Sequence, residues 1–318
     1  MPAWSAAVAL VFALALDRAF GEPPSRWHPV AWMGRYLGWI GHRVAPRGLQ
    51  QGGERRLFCA GAFAWWGGAL LVLAAALGLQ LAADALGPWL GALLAGAVLK
   101  TMLAWRMLRD EVAGVEDALA ESLDAGRRRL GRLVSREVMR LDESLVRESA
   151  IESLAENLND SVVAPVFWFL VAGLPGAMLY RFANTADAMW GYRGLRAGLD
   201  WTWAGKWAAR TDDVLSWLPA RLTALLLGLL AGGLPLRELR LQARCTPSPN
   251  GGWPMAAMAL ALGVRLRKPG VYALNGEASG PEAQDTRRAL RLAGASVGAL
   301  LGASAALLLG AAWLGQGA

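Results

Sequence analysis

Along this chain, long apolar runs alternate with short polar stretches rich in arginine. A membrane helix needs about 20 consecutive apolar residues. The runs at 58–83, 88–105, 214–233 and 293–314 come closest to that pattern, and the shorter or broken runs 4–16 and 162–182 are further candidates. Because the runs are continuous rather than alternating, a β-barrel is excluded, which leaves helices as the structures that satisfy their backbone in lipid. The pattern predicts an all-α, polytopic integral membrane protein.

No Lys or Arg precedes Arg18, so the first run reads as a retained short membrane helix rather than a cleaved signal. The runs 58–83 and 88–105 predict a hairpin turning at Leu86-Gly87-Pro88, with its basic flanks in the cytoplasm and its turn outside. Pro165, Gly173, Pro175 and Gly176 interrupt 162–182, predicting a broken or re-entrant element buried in protein or lining a cavity. The loops on either side of 214–233 are both basic and polar, whereas simple alternation of spans would put them on opposite sides. At least one interrupted segment is therefore expected not to cross.

Residues 106–160 read as a cytoplasmic helical insertion within a single domain, 1–318. Leu108, Val112, Val115, Leu119 and Leu123 recur at helical spacing, with Gly126 as the expected end of that helix. A second helix is expected from about Ser135, with Val146, Ala150, Leu154 and Leu158 as its apolar stripe. Glu148, Glu152, Glu156 and Asp160 fall at successive i, i+4 positions, about 200° around the helix from that stripe, and so are expected to face away from the packing surface. Each like-charged pair at this spacing costs roughly 0.2–0.5 kcal/mol, and no Lys or Arg stands within the stripe. The chain shows no internal repeat and no low-complexity linker.

Composition sharpens this picture. The chain is 55% hydrophobic with a net charge of +7, and Lys occurs only at 100, 206 and 268. The arginine excess fits positive-inside loops, and also suits anionic lipids or phosphorylated substrates. Sixteen Trp are available for interfacial belts. Cys59 and Cys245 lie far apart, without the spacing of a zinc or disulfide framework, and no nucleic-acid module is present.

Four polar clusters carry the candidate chemistry. In DRAFGEPPSRWHPV, residues 17–30, His28 is held in a stiff extended loop by Pro29; a hydrogen-bonded loop histidine and a substrate contact are both open. The acidic stripe, extended by Asn157 and Asn159, is either a solvated face or an oxygen-rich site of the kind hard cations such as Mg²⁺ prefer. In RFANTADAMWGYR, Asn184 and Asp187 share a helical face close to membrane depth, where an ionisable residue marks function by default. A helix cap at Asn-Thr explains the same spacing. In CTPSPNGGWPMAAM, Ser248, Asn250, Gly251 and Gly252 precede Pro254, so a helix start with free N–H groups for an anion is expected.

Taken in order, these clusters resemble the CobD/CbiB family of cobalamin-biosynthesis membrane proteins, the adenosylcobinamide-phosphate synthases. The matching stretches are Asp17…GEPP…His28-Pro29-Val30, GRLVSRE at 131–137, ESLAENLNDSVVAP at 152–165, NTADAMWGY at 184–192, SPNGGWPMAAM at 248–258 and the region of Tyr272. Glu137, Ser161, Ala186 and Ala188 depart from the residues usual in the family.

The resemblance implies ATP-dependent ligation of adenosylcobyric acid with (R)-1-aminopropan-2-yl phosphate or a related aminoalcohol phosphate. Its setting would be the inner, cytoplasmic membrane, with the active site facing the cytoplasm. Glu152, Glu156, Asp160 and Asp187 are the catalytic candidates, the first three of them also ligands for Mg²⁺. Asp17, His28, Arg136, Asn157, Asn184, Ser248, Asn250 and Gly251 are the substrate-binding candidates, and the clusters are expected to converge on one cavity. No Walker A motif is present, so the ATP site would be unconventional. Membrane lipid and other enzymes of the pathway are the implied partners. A membrane transporter or binding protein for a corrinoid precursor is the rival reading, and a structural scaffold the third.

Overall fold

The computed structural model describes residues 1–49 and 52–315. Its elements are helices apart from two short antiparallel hairpins, β1–β2 (Leu195–Arg196, Leu199–Asp200) and β3–β4 (Leu266–Lys268, Tyr272–Leu274). Five helices among the described residues are long and apolar enough to cross a membrane, or six if one bent pair is a span. The backbone divides into two compact units, the first comprising Met1–Leu103, Ala164–Leu215 and Ser304–Ala318, the second Ala104–Val163 and Ser216–Ala303.

In the first unit, α1 (Ala3–Phe20) lies along α4 (Gly87–Lys100). Small residues permit the approach: Ala9 and Ala13 are fully buried on α1, and a Cβ on Gly96 would lie 2.6 Å from the Ala9 carbonyl oxygen. Helix α2 (Pro29–Val44) and α3 (Glu54–Ala85) contribute Tyr36 and Gly68, and a Cβ at Gly68 would collide with both Tyr36 and Phe182. The hairpin turn falls where expected, with Gly87 at φ +80° and Pro88 in the first turn of α4.

The interrupted run is a broken helix, α8 (Ala164–Trp190), with Ala172 and Gly173 non-helical and Pro175 just beyond. Gly173 stands at φ +62°, a conformation open to a residue without Cβ. The break leaves Leu174 N–H without a helical acceptor, and Gln80 Oε1 of α3 takes it at 3.3 Å. A polar side chain from a neighbouring helix thus re-satisfies backbone freed at an interruption. The run 214–233 is likewise not one helix: α9 (Lys206–Leu215) ends at its start and α10 (Trp217–Leu230) begins after a break at Ser216.

The second unit corrects the expected course of 106–160. Helix α5 (Trp105–Glu121) stops at Ser122, whose Oγ accepts the Ala125 N–H and starts α6 (Leu123–Leu130). Gly126 is therefore inside a helix rather than ending one, and a Cβ there would strike Leu119. The next helix, α7 (Glu143–Leu158), starts at Asp142, whose Oδ1 accepts the Leu145 N–H at 2.8 Å, and not near Ser135. At Asn159–Val163 the helix widens into a π turn, so the α-helical spacing that put Asp160 on the stripe ends at Leu158. Such π turns are frequent at functional sites. Helix α12 (Gly252–Leu262) meets α7, α10 and α11 (Leu236–Ala243).

Candidate functional site

In the first unit the sequence brings four charged or titratable side chains together at the ends of α1, α2 and α4. Asp17 is fully buried in the last turn of α1. Lys100, closing α4, places Nζ 3.3 Å from Asp17 Oδ1 and 3.1 Å from Glu22 Oε1. Glu22 Oε2 lies 2.7 Å from His28 Nε2, while His28 Nδ1 accepts the Val30 N–H at 3.2 Å and caps α2. The capping bond assigns the acceptor role to Nδ1, so Nε2 carries the proton donated to Glu22. Burial pushes Glu22 up, but His28 and the Lys100 ammonium outweigh it, and its pKa falls below the ordinary 4.5.

Lys100 and Glu22 were not among the sequence candidates. The signal was present: Lys100 is one of only three lysines and ends an apolar run, where an ionisable group is seldom idle.

Asn184 and Asp187 lie in the interior of the second half of α8, so Asn184 is not a helix cap. Asn184 Oδ1 accepts from Arg181 Nη1 at 3.2 Å, and its Nδ2 donates to Asp212 Oδ1 at 3.4 Å. Asp187 O accepts the Gly191 N–H at 2.7 Å, and a Cβ at Gly191 would collide with Asp187 Oδ1. With Asp17 and His28, these residues belong to the first unit.

The second unit holds the acidic stripe, and here the expectation of an outward face is corrected. Glu148 and Glu152 are as buried as Val146, Ala150, Leu154 and Leu158. Arginines outside α7 offset their charge. Arg267 on β3 makes a forked contact to Glu148, with Nη2 2.8 Å and Nε 3.1 Å from its oxygens. Arg136 Nη2 donates to Glu152 Oε2 at 2.7 Å. The Arg267 guanidinium is pushed further up, first by its hydrogen bond to Glu148. The Tyr272 hydroxyl is raised above its ordinary range, first by burial and then by the Glu152 charge. Periodicity along α7 could not reveal these partners, because both arginines come from other parts of the chain.

The remaining members differ. Glu156 is exposed, and its Oε1 lies 3.2 Å from where a Cβ on Gly251 would be. Asn157 Nδ2 donates to the Ser153 carbonyl at 2.9 Å. Asn159 donates to Asp160 Oδ1 at 2.8 Å and accepts from Thr223 Oγ1 at 3.1 Å. Among the described residues no group of three His, Cys, Asp or Glu side chains is placed to hold a metal ion. Of the three carboxylates expected to ligate Mg²⁺, Glu152 accepts from Arg136, Glu156 is exposed near the end of α7, and Asp160 lies in the π turn.

At the start of α12 the expected free N–H groups are partly used. Ser248 Oγ accepts the N–H of Asn250 at 3.2 Å and of Gly251 at 3.0 Å. Asn250 is buried and accepts from Arg221 Nη1. Gly252 permits close packing: a Cβ there would collide with the Ala243 carbonyl oxygen and with Thr246 Oγ1. Gly252→Ala is expected to cost about 1–3 kcal/mol through overpacking, read as a lower denaturation midpoint. An unchanged midpoint would refute that account.

The fold and these clusters define a helical membrane protein with charge-compensated polar centres in each unit. A family model described as CobD/Cbib protein matches residues 10–294, and the chain belongs to that family. It is 42% identical over 283 residues to the "Probable cobalamin biosynthesis protein CobD" of Pyrococcus abyssi, covering 89% of this chain and 90% of that one. It is 43% identical over 324 residues to the "Cobalamin biosynthesis protein CobD" of Chromobacterium violaceum, covering 96% and 99%. A further relative, the "Probable cobalamin biosynthesis protein CobD" of Methanothermobacter thermautotrophicus, is 38% identical over 293 residues, covering 89% and 91%. No solved structure is significantly similar.

Proposed function

We propose that this chain, within the role in cobalamin biosynthesis that its family membership supports, is an ATP-dependent acid–amine ligase of the cytoplasmic membrane. It joins a propionate carboxylate of adenosylcobyric acid to the amine of (R)-1-aminopropan-2-yl phosphate or a related aminoalcohol phosphate. In this reading a carboxylate oxygen attacks the γ-phosphorus of ATP and ADP leaves. The amine nitrogen then attacks the acyl carbon, the acyl–oxygen bond breaks, inorganic phosphate leaves and the amine gives up a proton. Mg²⁺ belongs to the reaction as the counter-ion of the nucleotide.

The observation that carries the reading is the Arg136–Glu152 pair. Both residues sit in stretches matching the family, and both are held in the second unit by a 2.7 Å charge-assisted bond. Arg136 Nε is buried without a hydrogen-bond partner, while Glu152 has the Tyr272 hydroxyl beside it. A buried polar atom left like Nε is costly, and a charged substrate would complete it.

The test is turnover by detergent-purified protein. ADP and the amide product should appear together, and only when ATP, adenosylcobyric acid and the aminoalcohol phosphate are all present. Corrinoid binding with no ADP release under those conditions would replace the ligase with a precursor-binding protein.

A further inference from the structure

Some arginines of the second unit are held by carboxylates and others are not. Arg136, Arg147, Arg267 and Arg288 each pair with a carboxylate. Arg221, Arg240 and Arg244 pair with none among the described residues, yet all three line one cavity of about 640 Å³ beside the SPNGG stretch. Arg221 is fixed there in advance. Its guanidinium carbon lies 4.6 Å from the Trp217 ring centre and 4.8 Å from that of Trp253. One of its nitrogens donates to Asn250 Oδ1, and Nη2 donates to the Pro249 carbonyl at 3.1 Å. Arg240 and Arg244 are exposed at the side of the same cavity.

Three guanidinia around one cavity repel each other unless an anion sits between them, and a planar guanidinium is the preferred donor to phosphate oxygens. The cavity volume falls in the range of sites for whole organic ligands, about 300–1,000 Å³. A charge of +3 is more than a single phosphomonoester, about −1.5 to −2 near neutral pH, would balance. Two indole rings at the wall add aromatic surface for a flat ring.

We propose that the cavity lined by Arg221, Arg240, Arg244, Trp217 and Trp253 is the nucleoside-triphosphate site, the arginines holding its phosphates in place of a Walker loop. This rests on the ligase reading for the identity of the nucleotide. Arg136, engaged by Glu152, is left to the other substrates.

The experiment measures equilibrium binding of radiolabelled ATP to the full-length protein in neutral detergent. Arg240→Gln and Arg244→Gln are exposed changes, and each should weaken binding about tenfold, the scale of one charge-assisted hydrogen bond. Inorganic tripolyphosphate should compete for the site. Unchanged affinity in the double variant, or no ATP binding by the unaltered chain, overturns the assignment. Competition by the aminoalcohol phosphate would make this the acceptor's site, and displacement of ATP by phosphatidylglycerol would make it a lipid headgroup site; either overturns it. Arginine-dependent ATP binding without ligation would sink the ligase and leave this site standing. Ligation with normal ATP affinity in the double variant would do the reverse.

Discussion

Lys100→Met is expected to destabilise the first unit by about 3–5 kcal/mol, the usual cost of breaking a buried ion pair from one side. Lys100 is the cation for two carboxylates: Asp17, fully buried, and Glu22, which is further held by His28. Removing the ammonium takes from buried Asp17 and from Glu22 the cation they share. A triple variant, Lys100→Met with Asp17→Asn and Glu22→Gln, should recover much of the loss, because neutral amides are far cheaper to bury than unpaired carboxylates. The pH dependence has a fixed sign. The folded pKa of Glu22 lies below its ordinary 4.5, so its contribution is complete above that value and is lost as pH falls through the folded pKa. The gap between the unaltered chain and Lys100→Met should therefore narrow in acid. Thermal unfolding in detergent at pH 7 and near pH 4 measures both effects; a midpoint unmoved at pH 7 would remove the cluster from the list of stabilising features.

Much of the membrane scaffold was legible because its signals are local. Runs such as 58–83 and 88–105 declare helices by length alone, Gly87-Pro88 marks its own turn, and Gly173 with Pro175 marks the break in α8. The candidate site was legible as motifs but not as chemistry. The four carboxylates of the stripe looked self-repulsive because their spacing is visible in one segment, whereas the arginines that pair with two of them, Arg136 with Glu152 and Arg267 with Glu148, stand outside it. Asp160 was placed on the stripe by assuming α geometry that gives way to a π turn at Asn159. Gly126 and Gly252 looked like a helix end and an anion-binding start. Gly126 lies inside a helix, and both glycines permit a close contact, with Leu119 and with Ala243, that no periodicity encodes. The second unit joins 104–163 to 216–303, a long-range association that hydropathy along the chain cannot register.

Glu152→Gln is expected to lower turnover on the order of a hundredfold, the scale seen when a preorganised charged group is lost from a reacting site. In the proposed ligase Glu152 would act as a positioning residue: its Oε2 accepts from Arg136 Nη2, and its charge acts on Tyr272. Two accounts of its carboxylate then separate cleanly. If Glu152 ligated Mg²⁺, the Gln variant would need more of the ion, and a Mg²⁺ titration of turnover would shift to higher concentration. If it positions Arg136, the titration keeps its midpoint while the plateau falls, and Arg136→Lys raises the KM for the aminoalcohol phosphate, since an ammonium cannot reproduce a planar fork. Glu148→Gln serves as the comparison on the same helix. Its partner is Arg267, so its loss should appear in the unfolding midpoint rather than in the KM. A Glu152→Gln protein with normal turnover would return the Arg136–Glu152 pair to a purely structural role. A shifted Mg²⁺ titration would bring the metal back to α7 despite the arrangement of its carboxylates.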